Sequence, residues 1–237
     1  MKGMLKAEFF KFSHSCPLWV ILAVLTASCG VSIFTGTYDS AEHALLQISK
    51  DSMVLILAGA VYGSMTLTED FSNGLLRHFI ASGYRRTAIL GAKLVHYLAG
   101  CGVLILLYQV ISVALAAMVQ GVETSFPAVM GKTLLTVLQA LPLYGGIFGL
   151  FFFLAVWIQK GAAAVGVSVA VSILLVVWTN KLYPQHSAVL RYSPVIQISA
   201  AANGTITGAY VVSVLVSLVA LGGFVWGSIL KLNHDAL

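Results

Sequence analysis

Leu94 to Val119 reads LVHYLAGCGVLILLYQVISVALAAMV, a run without one Asp, Glu, Lys or Arg. A helix needs about 20 mostly apolar residues to cross the ~30 Å hydrocarbon core of a bilayer. This run is long enough to cross at a tilt. Its apolar residues are continuous and do not alternate, so it reads as a helix and not as a barrel strand. Working outward in both directions, five more uncharged runs appear, at about Pro17–Thr35, Ser52–Thr68, Thr133–Ile158, Gly161–Thr179 and Gly208–Leu230. Ser52–Thr68 sits at the lower limit of spanning length. The first run is expected to remain on the chain, because it is longer than the 7–15-residue core of a cleaved signal peptide.

Composition agrees. Of the 237 residues, 59% are hydrophobic and 9% charged, where a soluble domain carries roughly 25% charge. Disordered chains are poor in apolar residues, so disorder is excluded too. Three cysteines, Cys16, Cys29 and Cys101, imply no disulfide framework. A net charge of +5, scattered along the chain, is too weak for a nucleic-acid surface. The expected class is an all-α integral membrane protein with six transmembrane helices. Residues 1–16 form an N-terminal amphipathic interfacial helix, and residues 17–237 a single transmembrane domain.

Basic residues favour the cytoplasmic side. With both termini inside, Lys2, Lys6, Lys11, Arg77, Arg85, Arg86, Lys93, Lys160 and Lys231 are cytoplasmic, and Lys50, Lys132, Lys181 and Arg191 are outside. The outer segment 180–207 holds Pro184, Pro194 and the apolar stretch Val195–Ala202, too short to span and suited to a re-entrant or interfacial half-helix.

Chemistry is scarce. The six runs contain no carboxylate of the kind ion-coupled carriers use. Lys93 is expected to snorkel to the interface, and His96 to bond between helices. The six histidines show no metal-ligand spacing. Gly131-Lys132-Thr133 resembles the tail of a phosphate-binding loop, but Phe126 stands where the motif needs its first glycine. Asn203-Gly204-Thr205 is a glycosylation pattern too common to weigh. No catalytic set and no metal site is expected in this chain.

The connection after the second run is more informative. Glu69 and Asp70 open it, and Asp70, Ser72 or Asn73 can cap a short helix. Leu75, Leu76, Phe79 and Ile80 recur at helical spacing as one apolar stripe. Gly83 ends the helix, and Arg85-Arg86 anchor the chain. This is an amphipathic helix along the cytoplasmic face, either resting at the lipid interface or docking a cytoplasmic partner. Near the N-terminus, Leu5, Phe9 and Phe12 share a face away from Lys2 and Lys6, with Phe10 among the lysines.

The span count, the basic start and this loop together resemble a permease subunit of the ABC-2 (type V exporter) family. The family's loop pattern is an acidic residue, Gly-Thr, a basic residue, Ser-Gly, an arginine, and a lysine at the next helix. Glu69 or Asp70, Gly74, Arg77, Ser82-Gly83, Arg85 or Arg86, and Lys93 match it; Leu75 stands where Thr is common. The resemblance implies that the loop is a coupling helix, docking into a separate nucleotide-binding subunit present in two copies. ATP and Mg would act in that partner, with no cofactor in this chain. It further implies a second permease copy or paralogue, a translocation path between them, and the plasma membrane as location. Permeases of this size are similar to those exporting antimicrobial peptides or conferring bacteriocin immunity, an antibiotic-resistance role. Polar groups available to a cargo within the spans are Gln109 and Gln139, joined by Tyr108 and Tyr144, each equally able to bond between helices. A path this apolar suits a hydrophobic or amphipathic cargo. Pro142 with Gly145-Gly146 is expected to kink the fourth helix. The alternative reading is a non-transporting membrane scaffold or sensor that recruits a cytoplasmic protein.

Overall fold

A computed structural model describes residues 16–35, 52–72, 79, 82–121, 125–182, 190–202 and 207–234. Among these residues every regular element is helical: α1 Cys16–Phe34, α2 Ser52–Ser72, α3 Arg86–Gln120, α4 Phe126–Ile158, α5 Gly161–Leu182, α6 Pro194–Ala202 and α7 Gly208–His234. Five of them (α1, α3, α4, α5 and α7) are long and apolar enough to cross a membrane. The apolar stretch of α2, Met53–Glu69, is shorter. The architecture is all-α and has the pattern of a multi-pass membrane protein. The amphipathic helix expected over residues 1–16 lies outside the described residues, apart from Cys16, which opens α1.

Several helices outrun their uncharged cores. α3 starts at Arg86, two turns before Leu94, because Ile89, Leu90 and Ala92 bury against the bundle and no proline interrupts them. At 35 residues it is about 52 Å long, more than a whole bilayer of ~40–45 Å. α4 starts at Phe126 rather than Thr133, with Pro127 in its first turn, where a missing N–H costs nothing. It runs unbroken through Pro142 to Ile158 and stops at Gln159, which takes the left-handed conformation at φ 57°. The apolar stretch read as too short to span is the helix α6, with Val195, Ile198 and Ala201 buried. α6 packs on α4 and α7.

α4 is the central helix. Of its most apolar window 56% is buried, against 11% for α7. These two nevertheless form the most extensive helix pair. They run parallel: the Tyr210 hydroxyl donates to the Gln139 carbonyl at 2.8 Å, Gly146 meets Ser217, Gly149 meets Leu221, and the Lys231 ammonium lies 5.2 Å from the Trp157 ring. A Cβ on Gly146 would sit 2.7 Å from Ser217 Cα and 2.9 Å from its carbonyl oxygen. Lipid supplies no hydrophobic drive between helices, so close approach through small residues is what holds such pairs.

On the other side of α4, rings fill notches left by glycines. Phe148 seats against Gly59, Tyr97 against Gly63 and Tyr62 against Gly100. Tyr97 stacks on Tyr62 and on Phe152, each with centroids 6.3 Å apart, and Tyr144 stacks on Phe148 at 5.5 Å. The Tyr97 hydroxyl donates to the Gly59 carbonyl at 3.1 Å. α2, α3 and α4 are thereby locked together. α2 and α5 run antiparallel along a polar seam. The Ser64 hydroxyl faces Ser168 at 2.9 Å, and Thr68 donates to the Ser64 carbonyl beside Gly161.

These contacts bring the C-terminal ends of α2, α4 and α7 together with the N-terminal ends of α3 and α5. That end of the bundle carries Glu69, Arg85, Arg86, Lys160 and Lys231. Lys132 and Lys181 lie at the opposite ends of α4 and α5.

Candidate functional site

The α2–α3 connection emerges at the basic end. α2 does not stop at Thr68 but continues to Ser72, placing Glu69 and Asp70 in its last turn instead of opening the loop. Nothing before Asn73-Gly74 breaks a helix, which explains the extension. Gly74, Leu75, Leu76, Arg77 and Ile80 lie outside the described residues, so of the apolar stripe only Phe79 is placed. It is half-buried and packs against the bundle core. Its ring meets Tyr84 edge-on at 6.2 Å, and the Tyr84 N–H donates to the Phe79 carbonyl at 3.2 Å. Gly83 has φ 83°, a conformation that favours glycine, at the position read as the helix stop. Ser82, Gly83, Tyr84 and Arg85 are exposed. Immediately beyond, Arg86 opens α3 and its Nη1 donates to the Leu232 carbonyl of α7 at 3.2 Å. The result is an exposed turn pinned to the bundle on both sides.

Three of the four polar residues suggested for a cargo path are buried between helices, and Gln139 is half-buried. Tyr108, Gln109 and Tyr144 are at most 5% exposed, and at Gln139 it is the backbone carbonyl, not the side-chain amide, that accepts from the Tyr210 hydroxyl. None of the four lines either of the two clefts described next. Lys93 does not reach the surface: it is 2% exposed, and His96 is buried beside it on α3. With α3 starting at Arg86, Lys93 falls in the helix's third turn and neighbouring helices cover it.

The open space lies elsewhere. A groove of about 310 Å³ runs between α1 and α2, lined by Val20, Ile21 and Val24 on one wall and by Val54, Ala58 and Val61 on the other. One turn further toward the basic end, a cleft of about 570 Å³ opens among Pro17 of α1, Met65, Thr68 and Glu69 of α2, and Gly161 and Val165 of α5. Sequence reading missed it, since its walls come from three helices far apart in the chain. Among the described residues, no three His, Cys, Asp or Glu side chains gather into a group able to hold a metal. No model of a known protein family matches the sequence, and no curated protein matches it.

Proposed function

We propose that the protein is the permease subunit of an ATP-driven exporter of the ABC-2 kind, with six spans, both termini cytoplasmic, and a place in the plasma membrane. In this reading α2 is the sixth span and the basic end of the bundle faces the cytoplasm, as positive charge favours. The observation that carries the reading is the exposed Ser82–Arg85 turn. It is accessible to a partner yet fastened to the core through Phe79 and to α7 through Arg86.

A handle of this kind transmits force. α3 starts at Arg86, so displacement of the turn moves the long third helix directly and tugs α7 through the Leu232 carbonyl. A partner shifts the balance of two bundle arrangements only if it binds one of them more tightly. Two nucleotide-binding subunits that close on ATP and Mg would grip the turns of two permease copies and supply that difference. The cargo is hydrophobic or amphipathic, and an antimicrobial peptide is the first to test.

The test is first whether the adjacent reading frame encodes a soluble ATPase with a complete phosphate-binding motif, then co-purification with that ATPase, followed by Arg85→Glu alone and together with Leu76→Asp. Loss of ATPase association, with loss of export or of peptide resistance, is the expected result. Association and resistance that both survive the double change refute the coupling role. Association lost without any effect on substrate movement favours the scaffold reading.

A further inference from the structure

The face that α7 buries is mostly serine. Its buried residues are Ser213, Ser217, Ser228 and Leu232, while Val211, Leu215, Val219 and Trp226 face outward. Two of its small residues make close contacts with α4, Ser217 on Gly146 and Gly227 on the Phe153 ring. Each has an identical twin four positions earlier, Ser213 for Ser217 and Gly223 for Gly227. The twins are idle where they stand. A Cβ on Gly223 would meet nothing within 4 Å, and the fully buried Ser213 hydroxyl makes no hydrogen bond among the described residues. Ser217 is likewise unbonded, whereas Ser228 donates to the Phe224 carbonyl one turn back, as helix serines do. A hydroxyl without a partner at membrane depth is costly, so bonding in this arrangement does not account for the two serines. Size and spacing do.

We infer that α7 has a second register against α4, reached by a slide of four residues, about 6 Å, toward the basic end with a turn of about 40° about its own axis. There Ser213 takes the place of Ser217 at Gly146, Gly223 that of Gly227 at Phe153, and Ser217 that of Leu221 at Gly149. Every close approach is re-formed by a residue of equal or smaller size. The opposite slide is blocked, since it brings Leu221 where Gly146 now meets a serine and Lys231 where Phe153 now meets a glycine. The Tyr210 bond to Gln139 and the seat of Lys231 over Trp157 belong to the present register and favour it at rest. One-turn ratchets of packed helices are a known kind of transition. Little else has to repack here, because only 11% of the apolar window of α7 is buried. The grip on the moving helix is Arg86, bonded to the Leu232 carbonyl. The inference rests on the α4–α7 contacts and holds whether or not a partner pulls on that arginine.

The test is disulfide trapping in the full chain in vesicles, in a Cys16→Ser background. Phe153→Cys is paired in turn with Phe224→Cys, Ala220→Cys and Ser228→Cys. Phe153 and Phe224 are neighbours now, with ring centroids 5.9 Å apart. Position 220 replaces 224 after the slide, and position 228 would replace it after the opposite one. A disulfide needs its Cβ atoms within about 4.5 Å, so a four-residue offset closes only if the helices move. For a second state populated at about 0.1–10%, the pair with Ala220→Cys is expected to cross-link about 10- to 1,000-fold more slowly than the pair with Phe224→Cys. It should still cross-link at least about tenfold faster than the pair with Ser228→Cys, whose slide is blocked. Ser213→Val, too large for the contact at Gly146, lowers the ratio of the Ala220→Cys rate to the Phe224→Cys rate about tenfold, and Ser213→Ala leaves it unchanged. Reading the ratio cancels any loss of folded protein. Equal rates at 220 and 228 are what loose breathing of α7 gives, and they overturn the inference. So does the absence of cross-linking at 220, or a ratio that Ser213→Val leaves unchanged.

Discussion

Replacing Gly146 by alanine separates close helix packing from helix propensity. In an open helical position, Gly→Ala gains about 0.5–1 kcal/mol. Gly145 is such a position, since a Cβ there meets nothing within 4 Å. At Gly146 the added carbon would lie 2.7 Å from Ser217 Cα, 2.8 Å from its Cβ and 2.9 Å from its carbonyl oxygen. Backbone atoms cannot rotate away, so α7 must shift, and overpacking of this kind costs about 1–3 kcal/mol. The two variants therefore differ in sign. For a chain of this size 1 kcal/mol moves Tm by roughly 2–4 °C, so Gly145→Ala should raise it by about 1–4 °C. Gly146→Ala, with a net loss of about 0.5–2 kcal/mol, should lower it by roughly 1–8 °C. The protein carries its own reporter. Cys29 and Cys101 are buried and Cys16 is exposed, so a Cys16→Ser background heated with a thiol-reactive fluorophore signals only when the bundle opens. A Gly146→Ala protein that opens at or above the parent temperature refutes the close α4–α7 contact, and so do shifts of equal sign in the two variants.

The remaining predictions use the same bundle. Tyr97→Phe removes the donor to the Gly59 carbonyl while keeping the ring in its notch; the expected loss is about 0.6–1.5 kcal/mol in the thiol assay, and no loss means that the hydroxyl is not bonded there. A double-mutant cycle of Ser64→Ala and Ser168→Ala should give a coupling near ~0.6 kcal/mol, as for other hydrogen bonds between membrane helices; additive effects argue against the α2–α5 seam. Arg86→Gln should speed hydrogen exchange in the last turn of α7 around Leu232 by about fivefold, for the loss of a bond worth about 1 kcal/mol. Unchanged exchange there cuts the link from the turn to α7. A cysteine placed at exposed Ser82 should react with an impermeant maleimide only after the cells are permeabilised; labelling in intact cells puts the basic end outside and removes the coupling reading.

The helices were legible because lipid demands one property, a long uncharged run, and that property is local. Their ends were less so. A rule that stops at charge halts α3 at Lys93, while the folded chain carries the helix back to Arg86 because Ile89 and Leu90 find partners there. Which face points where was not legible at all. In water an amphipathic stripe names the buried side, but a helix such as α4 is apolar all round. Its central place rests on Gly146 and Gly149 meeting Ser217 and Leu221, neighbours that no local pattern announces. Which neighbours a polar residue inside a span meets is equally hidden from local pattern. Polarity inside a span does not by itself mark a cargo path: Tyr108, Gln109 and Tyr144 are packed between helices, and among the described residues the Tyr144 hydroxyl meets no hydrogen-bond partner. The cleft, by contrast, left one readable trace. Counting from Val54 in helical steps through Ala58, Val61 and Met65 arrives at Glu69, so a charge closes an otherwise apolar stripe. Ending the span at Thr68, the last uncharged residue, cuts that stripe one position short and moves Glu69 into a loop. Carrying the helix on to Asn73-Gly74, the first residues able to stop it, puts the carboxylate at the end of that apolar stripe. In a membrane helix the stop signal, and not the first charge, decides which face a terminal carboxylate serves.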